Sequence, residues 1–352
     1  MADLNAESVS KQRIGWVDAA KGLTIMLVVM EHTTFGVANA VGYLPPIFGA
    51  LAEFTKPFRM PLFFLVAGLF AYKALYGEWR KFVDGKIVHF AYFYLLWSII
   101  QIGIKLLPHE GAWEVTYHDL LMIPIQPFAM LWFIYALAIF FFVMRCLRNV
   151  RPAFVIFFAL ALYFTRLHTG WMLIDEFTWR FIWFALGVYG ARHIFELTDW
   201  AQAKPLQALG LAGALLLSLG TVVFSRLIEI RGFELLMGFA GAGSSIILVS
   251  LLASQNMAKT LTYIGKHSLF IFVSFFLPMA ITRIGMTWFG YNDGDVITLI
   301  ATTLAVVTPI IAYHVVKDTP LRFLYIRPDM FRLKDGQASN HPTHAIMTTG
   351  SD

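Results

Sequence analysis

The sequence predicts an all-α polytopic membrane protein, a bundle of about ten transmembrane helices with both termini cytoplasmic. Three observations carry this. First, 58% of the 352 residues are hydrophobic and only 14% are charged, well below the roughly 25% of soluble domains. With 33 Phe and 10 Trp, a soluble globule would lack the polar surface to cover its apolar one. Second, apolar runs of roughly 16–22 residues recur along the chain, about the length a helix needs to cross a bilayer. Third, the basic residues collect in alternate connections.

In chain order the runs fall near 22–43, 59–77, 87–107, 129–147, 152–167, 179–191, 206–225, 234–254, 264–286 and 295–316. The first follows Lys21 and Gly22. The second opens on Pro61, which suits a first helical turn because its missing N–H has no partner there in any case. Gly68 in the same run permits close helix approach. The third, "KIVHFAYFYLLW", follows a basic connection. Arg148 and Arg151 separate the fourth from the fifth. The sixth, "WRFIWFALGVYGA", is the shortest and carries Arg180 at one end. The last four are mainly aliphatic and aromatic. The N-terminal tail, the even-numbered connections and the C-terminal tail hold 19 of the 27 Lys and Arg residues. The positive-inside rule places that side in the cytoplasm.

Residues 1–15 read as a polar cytoplasmic tail without the apolar core of a cleavable signal. Residues 16–330 read as a single membrane domain, and 331–352 as a disordered cytoplasmic tail. The lone cysteine, Cys146, excludes an internal disulfide and any Cys-based metal cluster. No H-E-x-x-H, P-loop or G-x-G-x-x-G is present, so no metal, ATPase or Rossmann site is expected. The net charge of +5 is a topology signal and not a nucleic-acid one. The lipid bilayer is the partner that composition demands; oligomeric state is open.

Chemistry must then lie inside the bundle or at its mouths. "KGLTIMLVVMEHTTF", 21–35, places Glu31 and His32 where ionisable groups cost roughly 2.5–3.5 kcal/mol each to insert. At 100° per residue, Lys21 and His32 lie within about 20° of one helix face and about 16 Å apart along the axis. One face thus runs from a cation at the membrane surface to an imidazole near mid-membrane, and an imidazole can take a proton from a hydroxyl. A buried helix–helix hydrogen bonder and a snorkelling lysine are the bland alternative. Glu31 points about 100° away from His32 and is expected to pair with a basic residue of a neighbouring helix, Arg59 being nearest in sequence. Asp18 is placed to cap the first helix or to hold Lys21 by an i,i+3 contact. Arg59 is also a candidate for substrate binding. Arg80, Lys81 and Lys86 form a basic cluster that suits either lipid headgroups or the phosphates of a cytosolic nucleotide-bearing donor. Asp175, Glu176 and Arg180 offer a polar entrance on the outer side.

These segments resemble the acyltransferase 3 family of integral membrane acyltransferases. "RIGWVDAAKGLTIMLVVMEHT" looks like that family's opening span, with Lys21 and His32 matching its basic-x10-His signature. "FRMPLFFLVAGLFA" resembles its second span, and "KIVHFAYFYLLW", "LWFIYALAIFF" and "YIGKHSLFIFVSFFLP" its third, fourth and ninth. Ala67 stands where many members carry Ser, and Phe272–Phe275 occupy a stretch where many carry a His. The resemblance implies an acyl-CoA donor from the cytosol, acetyl-CoA being the expected one. The implied acceptor is a hydroxyl on a carbohydrate or glycolipid. His32 would act as general base or transient acyl carrier, with Glu31 beside it. Lys21, Lys86 and Arg80 would hold the CoA phosphates, and Arg59 and Asp18 would serve substrate binding. The bacterial inner membrane is the expected location. The rival class is a transporter or exporter of a small anionic or glycan-linked solute, with Glu31 and His32 as a proton relay. Carriers commonly repeat a broken-helix half, and no such repeat is visible here.

Overall fold

The computed structural model describes residues 14–106, 116–165, 167–230 and 232–333. Residues 1–13 of the expected polar tail, residues 334–352 of the C-terminal one, and residues 107–115 lie outside the described residues. Within them the protein is all-helical, without a strand.

The helices follow in order: α1 (Gly15–Val41), α2 (Pro46–Thr55), α3 (Arg59–Gly68), α4 (Ala71–Tyr76), α5 (Trp79–Lys105), α6 (Tyr117–Met122), α7 (Trp132–Cys146), α8 (Pro152–Thr165) and α9 (Met172–Ala203). Then come α10 (Pro205–Phe224), α11 (Phe233–Ser254), α12 (Lys259–Lys266), α13 (Ser268–Ser274), α14 (Phe276–Trp288) and α15 (Gly294–Val316). Short 3₁₀ turns at Pro320–Leu324 and Asp329–Phe331 close the described chain. Each of the ten apolar runs is helical. Only six described helices are long and apolar enough to cross a membrane, or seven if the bent pair α13–α14 is one span. The ten-span count therefore exceeds what length and composition support. The second run breaks into α3 and α4, and α8 has only 14 residues. The sixth run, by contrast, lies inside a helix of 32 residues.

The break in the α13–α14 pair has a local cause. Pro278 lacks the N–H that would bond the carbonyl of Ser274, and its ring crowds that carbonyl. The pair bends by 53°, with Phe275 at the corner. Helix α5 carries a different irregularity, a π-type turn at Val83–Val88, a form that often marks a functional site.

Helix α1 packs against α12, α15, α3 and α11, so its residues are enclosed by the bundle. Small residues allow the closest approaches, as expected where lipid supplies no hydrophobic force between helices. A Cβ on Gly265 of α12 would stand 1.7 Å from the carbonyl oxygen of Asp18 on α1, and one on Gly22 would stand 2.0 Å from that of Leu261. The two glycines thus seat each helix on the other's backbone. Gly68 and Gly187 do the same for α3 and α9, which accounts for Gly68 as the sequence read it. Backbone cannot yield as a flexible side chain can. Gly265→Ala is therefore expected to push α12 off α1 and to destabilise the protein by about 1–3 kcal/mol. A drop in the thermal midpoint of the detergent-solubilised protein, with no drop for Gly243→Ala, checks this; a Cβ at Gly243 meets nothing within 4 Å.

One end of the bundle carries both described chain ends. Asp18 at the start of α1 touches Gly265, and the backbone N–H of Leu333 donates to Asp84 at 2.8 Å. This end is the terminal face. At the other, the Tyr43 hydroxyl donates to the carbonyl of Asn292 at 2.9 Å, and the Asp295 carboxylate accepts the backbone N–H groups of Ile47 and Phe48.

Candidate active site

The face of α1 that carries Lys21 opens on a cavity of about 520 Å³ at the terminal face. Lys21, Asp18 and Lys266 form its polar mouth; Phe63, Phe133 and Phe272 form its inner wall. Ala67 is also part of the lining. Lys21 Nζ lies 3.4 Å from Asp18 Oδ1, the i,i+3 contact expected from the sequence. Asp18 is buried, and among the described residues its second oxygen has no hydrogen-bond partner. A buried acceptor left open is costly unless something occupies it, so a ligand's donor has a place on this wall.

Lys86 stands on helix α5 and does not line this cavity. Its Nζ lies 4.5 Å from the centroid of the Phe141 ring, and it is within Coulombic reach of Lys21. Two cations are thus held near each other beside an aromatic wall, an arrangement that attracts an anion. Arg80 is exposed and does not line this cavity. Lys266, which entered the sequence reading only as a topology signal, is part of the mouth.

Helix geometry puts His32 about 16 Å deeper on the same helix as Lys21. It is half-buried, and among the described residues neither ring nitrogen has a hydrogen-bond partner. Its ring contact is Phe275, at 5.6 Å between centroids. Phe275 lies 6.4 Å from Phe272, and Phe272 belongs to the cavity wall. The kink at Pro278 therefore delivers an aromatic step between cavity and imidazole. His32 does not line the cavity in this arrangement; Phe272 and Phe275 separate the two. Irregular backbone at membrane depth is tolerated where it borders a functional cavity.

Glu31 is turned aside, as the 100° step requires, and pairs with Arg59. The Arg59 guanidinium also donates to the carbonyl of Ala52 at 3.0 Å, and Arg59 is buried. Arg180 extends the cluster. It is within Coulombic reach of Arg59. Its Nε donates to Glu176 at 2.5 Å, and its guanidinium carbon sits 5.5 Å from the centre of the Trp132 ring. Two arginines and two carboxylates thus form a balanced set. The sequence placed Glu176 and Arg180 at an entrance but did not join them to Glu31 and Arg59, because α1, α3 and α9 meet only in the fold. Asp175 does not join the set: its Oδ1 accepts the N–H and hydroxyl of Thr169, at 2.8 and 2.9 Å.

A cavity with cations at its mouth thus opens beside the helix that carries, deeper in the bundle, an imidazole without a hydrogen bond among the described residues. The family profile described as an acyltransferase domain, that of the acyltransferase 3 family, matches residues 14–314. The chain belongs to this family. No curated protein and no solved structure matches it. The matched region of this membrane acyltransferase contains Asp18, Lys21, Glu31, His32, Arg59, Arg80 and Lys86. The structure brings Asp18, Lys21 and Lys86 together at the terminal face and joins Glu31 to Arg59. It leaves Arg80 at the exposed edge and His32 behind the Phe272–Phe275 step. Phe275 is the neighbour that residue type alone did not reveal. Its signal was Pro278, four residues after Ser274.

Proposed function

We propose that this acyltransferase moves an acyl group, acetyl in the simplest case, from cytosolic acyl-CoA to a hydroxyl of a carbohydrate or glycolipid. Its place is a bacterial inner membrane, with the terminal face toward the cytoplasm. The observation that carries this reading is the Lys21–His32 line on α1, whose Lys21 end opens on a cavity with Lys266 at the same mouth. Lys21 and Lys86 meet the CoA phosphates, with Arg80 at the rim. The acyl arm enters the cavity alongside the packed Phe63–Phe133 pair, and Phe272 and Phe275 turn aside to admit it to His32.

The acceptor oxygen then attacks the thioester carbonyl carbon and the C–S bond breaks. His32 takes the hydroxyl proton and returns it to the departing CoA thiolate. In the two-step variant the imidazole nitrogen attacks first and CoA leaves. The departing thiolate takes the imidazolium proton; the acceptor oxygen next attacks the acyl-imidazole carbon, the C–N bond breaks, and the hydroxyl proton returns to His32. Arg59, fixed by Glu31 and the Ala52 carbonyl, presents its remaining N–H groups toward the acceptor. Asp18 contributes its open oxygen to substrate contacts at the mouth.

Membranes containing the protein are expected to transfer radiolabel from acetyl-labelled acetyl-CoA to a glycan or glycolipid fraction, above membranes that lack it. Solute counterflow without any label transfer would sink the enzyme reading and favour a carrier.

A further inference from the structure

A second cavity at the terminal face takes no part in the reading above. It encloses about 420 Å³ and shares Lys266 and Leu269 with the first as a common wall. Its charged lining is Lys266, Arg327, Arg332 and Asp84, beside the rings of Phe270 and Tyr325. Three cations there face one carboxylate.

That carboxylate is already committed. Asp84 Oδ2 accepts from Arg327 at 2.6 Å and Oδ1 accepts the backbone N–H of Leu333, while Arg327 also donates to the Asp84 carbonyl at 2.8 Å. Arg327 is buried and acts as a clamp. Arg332 is different. Its carboxylate partner is Asp329, 3.2 Å away, with both side chains more than half exposed, and such pairs are worth little. Lys266 is exposed and has no carboxylate partner among the described residues. Two cations are thus available to a ligand, one of them a guanidinium fork suited to phosphate oxygens.

The wall is also preorganised. The Tyr92 hydroxyl donates to the carbonyl of Phe323 and the Trp97 indole to that of Leu324, each at 2.9 Å. The Tyr325 hydroxyl donates to Ser274 Oγ at 3.2 Å. Residues 331–333, placed by sequence in a disordered tail, are held against Asp84 in this way. Arg327 and Arg332 both follow residue 314, where the family match ends.

From this we infer that the second cavity seats the phosphate-bearing nucleotide of the acyl donor. Lys266 and Arg332 contact its 3′-phosphate, which leaves the pyrophosphate to Lys21 and Lys86, and Phe270 and Tyr325 offer aromatic surface to its base. The acyl arm then passes the shared wall into the first cavity. This rests on the acyl-CoA reading proposed above.

The test titrates the full-length protein in phosphatidylcholine nanodiscs with CoA, 3′,5′-ADP and pantetheine. Lys266→Gln and Arg332→Gln are each expected to weaken CoA and 3′,5′-ADP about tenfold, the loss of one charged hydrogen bond, and to leave pantetheine unchanged. Arg332→Lys should recover part of the affinity. Both positions are exposed, so an unchanged thermal midpoint confirms the fold. If the wild type binds CoA and both variants bind it as tightly, the second cavity is not the nucleotide seat, and the donor reading stands. If the wild type binds no CoA, both fall. A parallel set of discs enriched in phosphatidylglycerol separates the sources of phosphate. Variants that lose only lipid retention, with CoA binding intact, would mark a headgroup site and overturn the inference.

Discussion

His32→Ala is expected to remove acyl transfer from membranes that still contain normal amounts of folded protein. A positioned base contributes about 10²- to 10⁴-fold to rate, so as a base its loss should leave at most about one per cent of activity. As an acyl carrier its loss should leave none. The fold has little reason to suffer, since His32 makes no hydrogen bond among the described residues and touches Phe275 through its ring. The measurement is label transfer from acetyl-CoA per mole of purified protein, with thermal midpoint as the control. Full activity in a well-folded variant would end the assignment of His32. Acid-quenched wild-type protein distinguishes the two routes: acetyl on a His32 peptide supports the carrier, and its absence during steady turnover supports direct attack.

Much of this site is legible in the sequence because helix geometry is rigid. Eleven residues return almost to the same face, so Lys21 and His32 align without knowledge of the fold. One residue turns away by about 100°, so Glu31 had to seek another helix, and Arg59 is where it ends. Glycine spacing is harder to read. In the sequence Gly22 marks only the start of the first run, and that it seats the backbone of Leu261 depends on a contact 239 positions away. The count of ten spans goes unconfirmed for a different reason. Hydropathy reports that a run is apolar, not that it is straight, and the α3–α4 and α13–α14 segments are apolar yet broken. Pro278 carried the local signal for one break. The second cavity had no periodic signal at all. Asp84 and Arg327 are 243 positions apart, and a basic residue near the end of a chain looks like topology until its partner is known.

Removing one partner of the Glu31–Arg59 pair should cost far more than removing both. Arg59 is 6% exposed, so Arg59→Leu leaves the Glu31 carboxylate without its cation inside the bundle. Breaking such a pair destabilises a protein by about 3–5 kcal/mol. Glu31→Leu should be similarly damaging, since it leaves Arg59 charged beside Arg180. Replacing both with leucine removes two desolvated charges together, and apolar substitutes for a buried pair are often neutral or stabilising. The double variant should therefore recover most of the stability that either single variant loses. Equilibrium unfolding or thermal midpoints of the four proteins in one detergent measure the coupling. Additive losses would show that the pair is not a stabilising unit. The stable double variant then separates structure from function. If Arg59 only holds α3 against α1, acyl transfer should survive in it. If Arg59 also contacts the acceptor, the same well-folded protein should hydrolyse acetyl-CoA slowly while its KM for the acceptor rises steeply.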